Sequence, residues 1–400
     1  MVTTRTNVKE SKGTAFHIPS LDGLRAVSFL LVFAAHAGLE DKVPGGFGVT
    51  VFFFLSGYLI TTLMRMEWEG LGTVSFKQFY LRRVLRILPP FYLTLALAIA
   101  AAAVGLIPGG FSPFAVLAQA LHSANYWIIF RGYGGQPAGT GVYWSLAVEE
   151  HFYLFFPLVF VLLGRFVRTA GRRATILYGL CAAVLVWRMF LVHGLHVGAD
   201  RTYVGSDTRI DSILFGCALA VYGNPVMDGP SRFSERVWKW GLLPASIGVL
   251  LFTFLYRDGS FRETTRYSLQ GLALTPLFVT AVRWPTWLVF RPLNTRLASF
   301  LGVLSYSLYL VHHVILFGVH AHVHVLPVLQ GALALALSIA LAWAIYRFVE
   351  KPCAVLRKRL SRASKASAVA RTHVAATTAS ASPLATAAST ARTAPSEASP

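Results

Sequence analysis

The sequence predicts an all-α fold, a polytopic membrane helix bundle of about ten transmembrane helices, and three observations predict it. Of 400 residues, 55% are hydrophobic and only 13% charged, with a mean hydropathy of +0.57, which is far from a soluble composition. Apolar stretches long enough to cross about 30 Å of hydrocarbon recur along the chain. The basic excess, 36 Lys plus Arg against 17 Asp plus Glu for a net +19, groups between those stretches, as cytoplasmic loops of membrane proteins do. That grouping gives the charge a membrane meaning, and nucleic-acid binding is not expected. Cys181, Cys217 and Cys353 lie far apart, so neither a CxxC metal pair nor a disulfide framework is expected, and no bound cofactor or metal. The polar start of the chain lacks a short apolar region with a cleavage site, so no removable signal peptide is expected.

Taken in order, the apolar stretches cover residues 21–39, 47–64, 87–107, 145–163, 174–193, a shorter 209–223, 240–256, 268–282, 301–319 and 327–347. An eleventh run, 114–130, is ambiguous because it carries Gln119, His122, Ser123 and Asn125. Loop charge arbitrates. If this run does not cross, the basic connections around Arg65 to Arg86, Arg165 to Arg173, Arg232 to Lys239, Arg283 to Arg296 and the segment from Lys351 fall on one side. The positive-inside rule then selects ten spans with both termini cytoplasmic. The loop 257–267, with Arg257, Arg262 and Arg266, is the exception. The expected organisation is a cytoplasmic segment 1–16, a membrane domain 17–353 and a disordered Ala/Ser/Thr/Pro-rich tail 361–400.

Ionisable groups inside membrane spans are costly and mark either function or structural pairing. Arg25 and His36 in the first span are eleven residues apart, about three helical turns, and share a face. Arg83 and Arg86 stand three apart just before Pro89 and Pro90, a fork suited to phosphates or to anchoring at headgroups. Glu149 and Glu150 open the next span inside an apolar aromatic run. Arg209 and Asp211 open another, as an internal ion pair or as substrate-binding and catalytic groups. Ser305, Tyr309 and His312 follow i, i+4, i+7 spacing and line one face. With the first span running outward and those of Glu150 and Asp211 running inward, His36, the carboxylates and Arg209 are expected at similar depth, with Arg83 and Arg86 at the inner surface.

The blocks SLDGLRAVSFLLVFAAHAG, GGFGVTVFFFLSGYLITTLM, FYLRRVLRILPPFYL, WSLAVEEHFYLFFPL, RIDSILFG, LGVLSYSLYLVHH and FVEKP, in that order over residues 17 to 353, resemble acyltransferase family 3, the integral-membrane O-acyltransferases. The resemblance implies ten spans, acyl-CoA as a co-substrate from the cytoplasm, and acyl transfer to a hydroxyl, often of a sugar. It makes His36 the catalytic histidine with Arg25 its motif partner, makes Arg83 and Arg86 the donor-binding pair, and matches Glu150 and Asp211 to further family positions. Tyr309 and Arg209 are expected to help bind substrate. Only a low-complexity tail follows Pro352, so the chain looks like the stand-alone form. Its Ala- and Arg-rich composition is similar to that of actinomycete proteins, among which some members of the family acylate macrolide antibiotics.

Two functions therefore compete. An O-acyltransferase would use His36 as general base on the acceptor hydroxyl, with Glu150 or Asp211 setting the imidazole tautomer. A proton-coupled secondary transporter would use His36 and the carboxylates as a relay, but neither inverted repeats nor paired broken helices are visible in the sequence. The expected partners are acyl-CoA, a hydroxylated small molecule or glycan, and the lipid of the plasma membrane.

Overall fold

The structure, a computed structural model, describes residues 18–360; the expected N-terminal segment and the tail beyond residue 360 lie outside the described residues. The principal helices are α1 (Pro19–Ala34), α2 (Gly45–Leu71), α3 (Phe76–Ala103), α4 (Pro113–Ala120), α5 (Ala124–Arg131), α6 (Trp144–Phe166), α7 (Ala170–Met189), α8 (Ser206–Val221), α9 (Leu243–Leu255), α10 (Thr265–Arg283), α11 (Arg296–His322) and α12 (Pro327–Ile345). Their starts follow local chemistry. Proline stands in the first turn of α1, α4 and α12, where its missing N–H costs nothing. Ser75, Thr169 and Thr295 cap α3, α7 and α11 by accepting from the N–H groups of Gln78, Arg172 and Ala298, which satisfies otherwise orphaned donors.

Two sets of contacts define the ends of the bundle. At one end Arg65 donates to Asp228, Arg283 to the Gly229 carbonyl, and Ser20 to Asn294. At the other, Arg257 donates to the Asp41 carbonyl, Thr202 to Glu263, and Ser260 meets His193. The ten segments expected from the sequence alternate between these ends, so Pro19 and Leu360 lie at the same one. By length and hydropathy eight helices can cross a membrane, or nine if Thr265–Arg283 and Leu288–Asn294, bent by 75°, form one span. The remaining segment is α8, only 16 residues long.

Helix α8 is short and largely enclosed by other helices. Every residue from Ser212 to Val221 is buried, wrapped by α2, α6, α7 and α10. Its closest approach is to α2. A Cβ on Gly57 would collide with the Ile213 carbonyl, and one on Gly216 with the Phe54 carbonyl, so paired glycines let the two backbones touch, as small residues do between membrane helices.

The ambiguous run 114–130 resolves into α4 and α5, eight residues each, so each is about 12 Å long and too short to cross. The chain breaks between them at His122, which has φ 53°. The Ser112 N–H donates to the Gly135 carbonyl at 2.7 Å, which brings the entry and exit of this excursion together at one end. Of the polar residues that made the run ambiguous, Gln119 and Asn125 reach partners in neighbouring segments, while Gln119 Oε1, His122 Nε2 and Asn125 Oδ1 stay buried without a hydrogen bond among the described residues. Gln119 donates to Gln136 and Thr140, and Asn125 to Ser206.

Candidate active site

Helices α1 and α11 run side by side in the same direction, and a Cβ on Gly302 would collide with the Asp22 carbonyl. The face they share carries both groups that the Arg25 and His36 spacing singled out. Arg25 Nε donates to Ser305 Oγ at 3.1 Å, and His36 Nδ1 lies 3.0 Å from His312 Nε2. Eleven residues on α1 thus meet seven on α11, the periodicities that sequence reading assigned to each helix separately. His36 sits in a π-helical turn, Ala35–Leu39, closed by Gly38 at φ 94°; a left-handed glycine lets the chain turn away two residues after the imidazole. Such widened turns recur at functional sites.

A histidine cluster surrounds this turn. His36 is half-buried and stacks on His313, ring centroids 4.1 Å apart and planes 10° from parallel. His312 is fully buried and its Nδ1 lies 2.8 Å from the Tyr309 carbonyl. A carbonyl only accepts, so His312 Nδ1 carries the proton. Its Nε2 is then a bare acceptor, and His36 Nδ1 must donate to it. The remaining nitrogen, His36 Nε2, is left with its lone pair and, among the described residues, no partner.

Toward the other end of the same interface lies a cluster of half-buried charges. Arg83 sits 5.4 Å over the Tyr153 ring, and the Tyr153 hydroxyl meets Ser56 Oγ at 2.5 Å. Glu149 lies beside Ser56 and faces Arg83, Arg25 and Arg86, while Glu150 faces Glu149 and Arg83. Glu350 accepts from Ser307 and faces Arg86 and Arg25. Tyr306 donates to the Ile87 carbonyl at 2.9 Å, fixing α3 against α11. Helix α3 runs unbroken through Pro89 and Pro90, which carries Arg83 and Arg86 into the bundle. The ion pairs of the described residues, such as Arg82 with Glu67 at 2.8 Å, do not include Arg25, Arg83 or Arg86. Half-buried guanidinium groups whose forks are not closed by carboxylates are suited to bidentate contacts with a phosphate.

The expected convergence of Glu150, Asp211 and Arg209 with His36 does not form. Depth counted from the start of each span misplaces α6, whose Ser145 lies against Tyr309 at 2.7 Å, one turn short of His312. Glu149 and Glu150 follow a turn later and so belong with the arginines. Asp211 is fully buried, paired at 2.7 Å with Arg188 and accepting from Ser268 and from the Ser212 N–H. Arg209 does not pair with Asp211. It donates to Thr50 and to the Tyr203 carbonyl, and its guanidinium lies 4.0 Å from the Tyr267 ring centroid, with Phe53, Trp144 and Tyr203 around it. The Tyr309 hydroxyl is engaged by Ser145 and the Val142 carbonyl, so it is held away from a substrate role while its backbone orients His312.

Sequence reasoning missed Glu350, Tyr153 and Arg188 as site or scaffold residues. Arg188 had the clearest signal, an arginine inside an apolar span. Glu350 stood in the FVEKP block but was read only as the end of the membrane domain. His312 was placed on the right face and given no role.

Comparisons with known proteins identify the family. The chain is 29% identical over 349 residues to a Staphylococcus aureus (strain COL) protein whose name assigns it O-acetyltransferase activity, a match covering 84% of this chain and 57% of that protein. It is 28% identical over 363 residues to the peptidoglycan O-acetyltransferase OatA of Listeria monocytogenes serovar 1/2a, covering 84% and 56% respectively. It thus spans a little over half the length of these curated relatives. No solved structure matches it. Residues 18–347 match the acyltransferase-domain family, the same stretch that folds into the ten-segment bundle around the histidine and arginine clusters, and the protein is therefore a multi-pass membrane member of acyltransferase family 3.

Proposed function

We propose that this protein moves a short acyl group, acetyl first among candidates, from acyl-CoA to a hydroxyl of a carbohydrate or a macrolide at the plasma membrane. The observation that carries the reading is the α1–α11 interface, which holds one imidazole with a free Nε2 and, further along, arginines with open forks. The described chain ends and the connections rich in Arg and Lys share one end of the bundle, and the positive-inside rule makes that end cytoplasmic. Arg25, Arg83 and Arg86 then meet a phosphate-bearing donor where such metabolites are made. His36 lies toward the opposite face, where a surface glycan would approach. A carbohydrate is favoured over a macrolide as acceptor, a preference supported by the peptidoglycan in the name of the Listeria relative.

In the reaction so proposed, the acceptor oxygen attacks the thioester carbonyl as His36 Nε2 takes its proton. The C–S bond then breaks, and the proton passes from the imidazolium to the departing CoA thiolate. Thiolate leaves readily, so orientation and deprotonation supply most of the rate. Glu149, Glu150 and Glu350 would align the arginine side chains, and Asp211 with Arg188 would hold α7, α8 and α10 together. The membrane domain, residues 17–353, would carry the donor-binding arginines and the base. The test uses purified protein in detergent with acetyl- and longer acyl-CoA and a panel of glycan and macrolide acceptors, reading free CoA thiol and acylated product. Acceptor-dependent thiol release supports the reading; a folded protein inert toward every pair would sink it.

A further inference from the structure

We infer that His312 is a positioning residue that fixes His36 in the tautomer with its proton on Nδ1, so that Nε2 alone serves as base. The inference rests on His36 being the base and adds what sets its protonation. Three features of the structure carry it. His312 is fully buried and its own tautomer is set by a group that cannot donate, the Tyr309 carbonyl at 2.8 Å. That carbonyl is held in turn, because Tyr309 is pinned through its hydroxyl to Ser145 and the Val142 carbonyl. The fixed His312 then presents only a lone pair to His36 Nδ1 at 3.0 Å. The face of His36 is covered by His313 at a near-parallel 10°, which stops the ring from flipping to exchange its nitrogens.

Without this arrangement an imidazole in solution divides between two neutral tautomers, and a side chain turned by half a rotation presents the wrong nitrogen. A carboxylate in the place of His312 would impose the same tautomer, which is why the sequence pointed to Glu150 or Asp211. A neutral imidazole does the same work with no buried negative charge. When His36 Nε2 takes the proton of the acceptor hydroxyl, the Nδ1–H donated to His312 becomes more acidic and its hydrogen bond stronger. The positive charge is thereby spread toward His312 without a proton leaving the pair, and the Nε2 proton stays on the side of the departing thiolate. No further acid or base is needed for the balance.

The substitutions that test this differ in where they place an acceptor atom. In His312→Gln the amide oxygen can occupy the place of Nε2 and still accept from His36, whereas in His312→Asn the amide reaches only the place of Nδ1. The expected result is a kcat within about tenfold of the parent for His312→Gln and lower by about 10²-fold, the smaller end of general-base contributions, for His312→Asn and His312→Leu. Donor and acceptor KM should stay unchanged in all three. Equal losses in Gln, Asn and Leu variants, or losses in KM alone, would overturn the inference. A second measurement needs no variant at position 312. Nitrogen-15 spectra of histidine-labelled protein, with the His36 signals identified by their disappearance in His36→Ala, should show a protonated Nδ1 and a bare Nε2; the reverse pattern overturns the inference. If His36→Ala keeps its activity, the base assignment itself fails, an outcome separate from an inactive His36→Ala beside a fully active His312→Leu.

Discussion

Two groups of charges lie inside this bundle, and they are built differently. Between α7, α8 and α10, Arg188 and Asp211 are fully withdrawn from solvent and close on each other at 2.7 Å, with Ser268 donating to the same carboxylate oxygen. Arg209 nearby is enclosed by aromatic rings. Around α1, α3, α6 and α11, by contrast, Arg25, Arg83, Arg86, Glu149, Glu150 and Glu350 are all half-buried, and among the described residues the arginines close no ion pair. A charge taken fully out of water must be compensated to be tolerated. Arg188 is compensated by a carboxylate and Arg209 by hydrogen bonds to Thr50 and Tyr203 and by ring faces, and a group so enclosed has little left to offer a substrate. A charge left half-buried with open hydrogen-bonding capacity keeps its cost low through water and remains ready for a ligand. Degree of closure, more than depth in the membrane, distinguishes a scaffold group from a candidate site.

The largest expected effect breaks the comparison if it fails. His36→Ala should reduce turnover by about 10³-fold or more, within the range of general acid–base catalysis, while thermal stability in detergent stays close to that of the parent. His36 is half-buried and, among the described residues, hydrogen-bonds only to His312, so its loss leaves no buried charge behind. Near-normal turnover in a folded variant would remove His36 from the chemistry.

The closed group should behave in the opposite way. Arg188→Ala leaves Asp211 uncompensated in a site with no exposure, a type of change that costs about 3–5 kcal/mol. Much of that should return in the double variant Arg188→Met with Asp211→Leu, where the charge and its partner leave together. Unfolding in a fixed detergent, followed by circular dichroism, decides it. A stable Arg188→Ala variant with impaired turnover would place the pair in the site and dissolve the distinction.

The same distinction explains what could be read from the sequence. The bundle was legible because lipid imposes long apolar helices, and the two faces of α1 and α11 were legible because Arg25, His36, Ser305, Tyr309 and His312 follow helical spacing. The non-crossing excursion at 114–130 followed from loop charge. What failed were pairings between helices. Asp211 was paired in expectation with its neighbour Arg209 or with His36, and Glu150 with His36, because depth was counted from span ends. Which turn of α6 meets which turn of α11 depends on tight packing, here Ser145 on Tyr309, and hydropathy holds no record of that register. Arg188 was visible as an arginine inside an apolar span, but its pairing with Asp211 was hidden for the same reason, since only the packing of α8 and α10 against α7 brings the two together.

A smaller effect sharpens the open group. Arg83→Ala or Arg86→Ala should raise the donor KM by roughly 10- to 150-fold, the equivalent of about 1.5–3 kcal/mol for one charge-assisted contact, with stability little changed. Arg83→Lys should recover only part, since an ammonium cannot reproduce the guanidinium fork. The Tyr153 ring under Arg83 gives a second reading of the same contact. Tyr153→Leu frees the guanidinium and should raise KM by less than the loss of the arginine itself. Unchanged donor KM in both arginine variants, together with poor membrane insertion, would make them headgroup anchors.

The smallest effect concerns a pair that is closed yet lies at the rim, between Arg65 in the last turns of α2 and Asp228 in the connection after α8. Arg65 and Asp228 meet at 2.5 Å with side chains 17% and 29% exposed, and the Gly223 and Asn224 N–H groups donate to the same carboxylate. Burial works against ionisation of Asp228, but the Arg65 guanidinium and those two donors overcome it and hold its carboxyl below the usual range. A lowered carboxyl stabilises the folded state fully above its unfolded value, near 3.9, and that contribution disappears as pH falls through the folded value. Closure without full burial should therefore be worth only about 1 kcal/mol. Asp228→Asn should lower the unfolding midpoint slightly at pH 7 and should weaken the fall in stability below about pH 4 that the parent shows. If Asp228→Asn instead destabilises as strongly as Arg188→Ala, the cost of breaking an ion pair in this protein does not depend on its burial, and closure alone would define the scaffold.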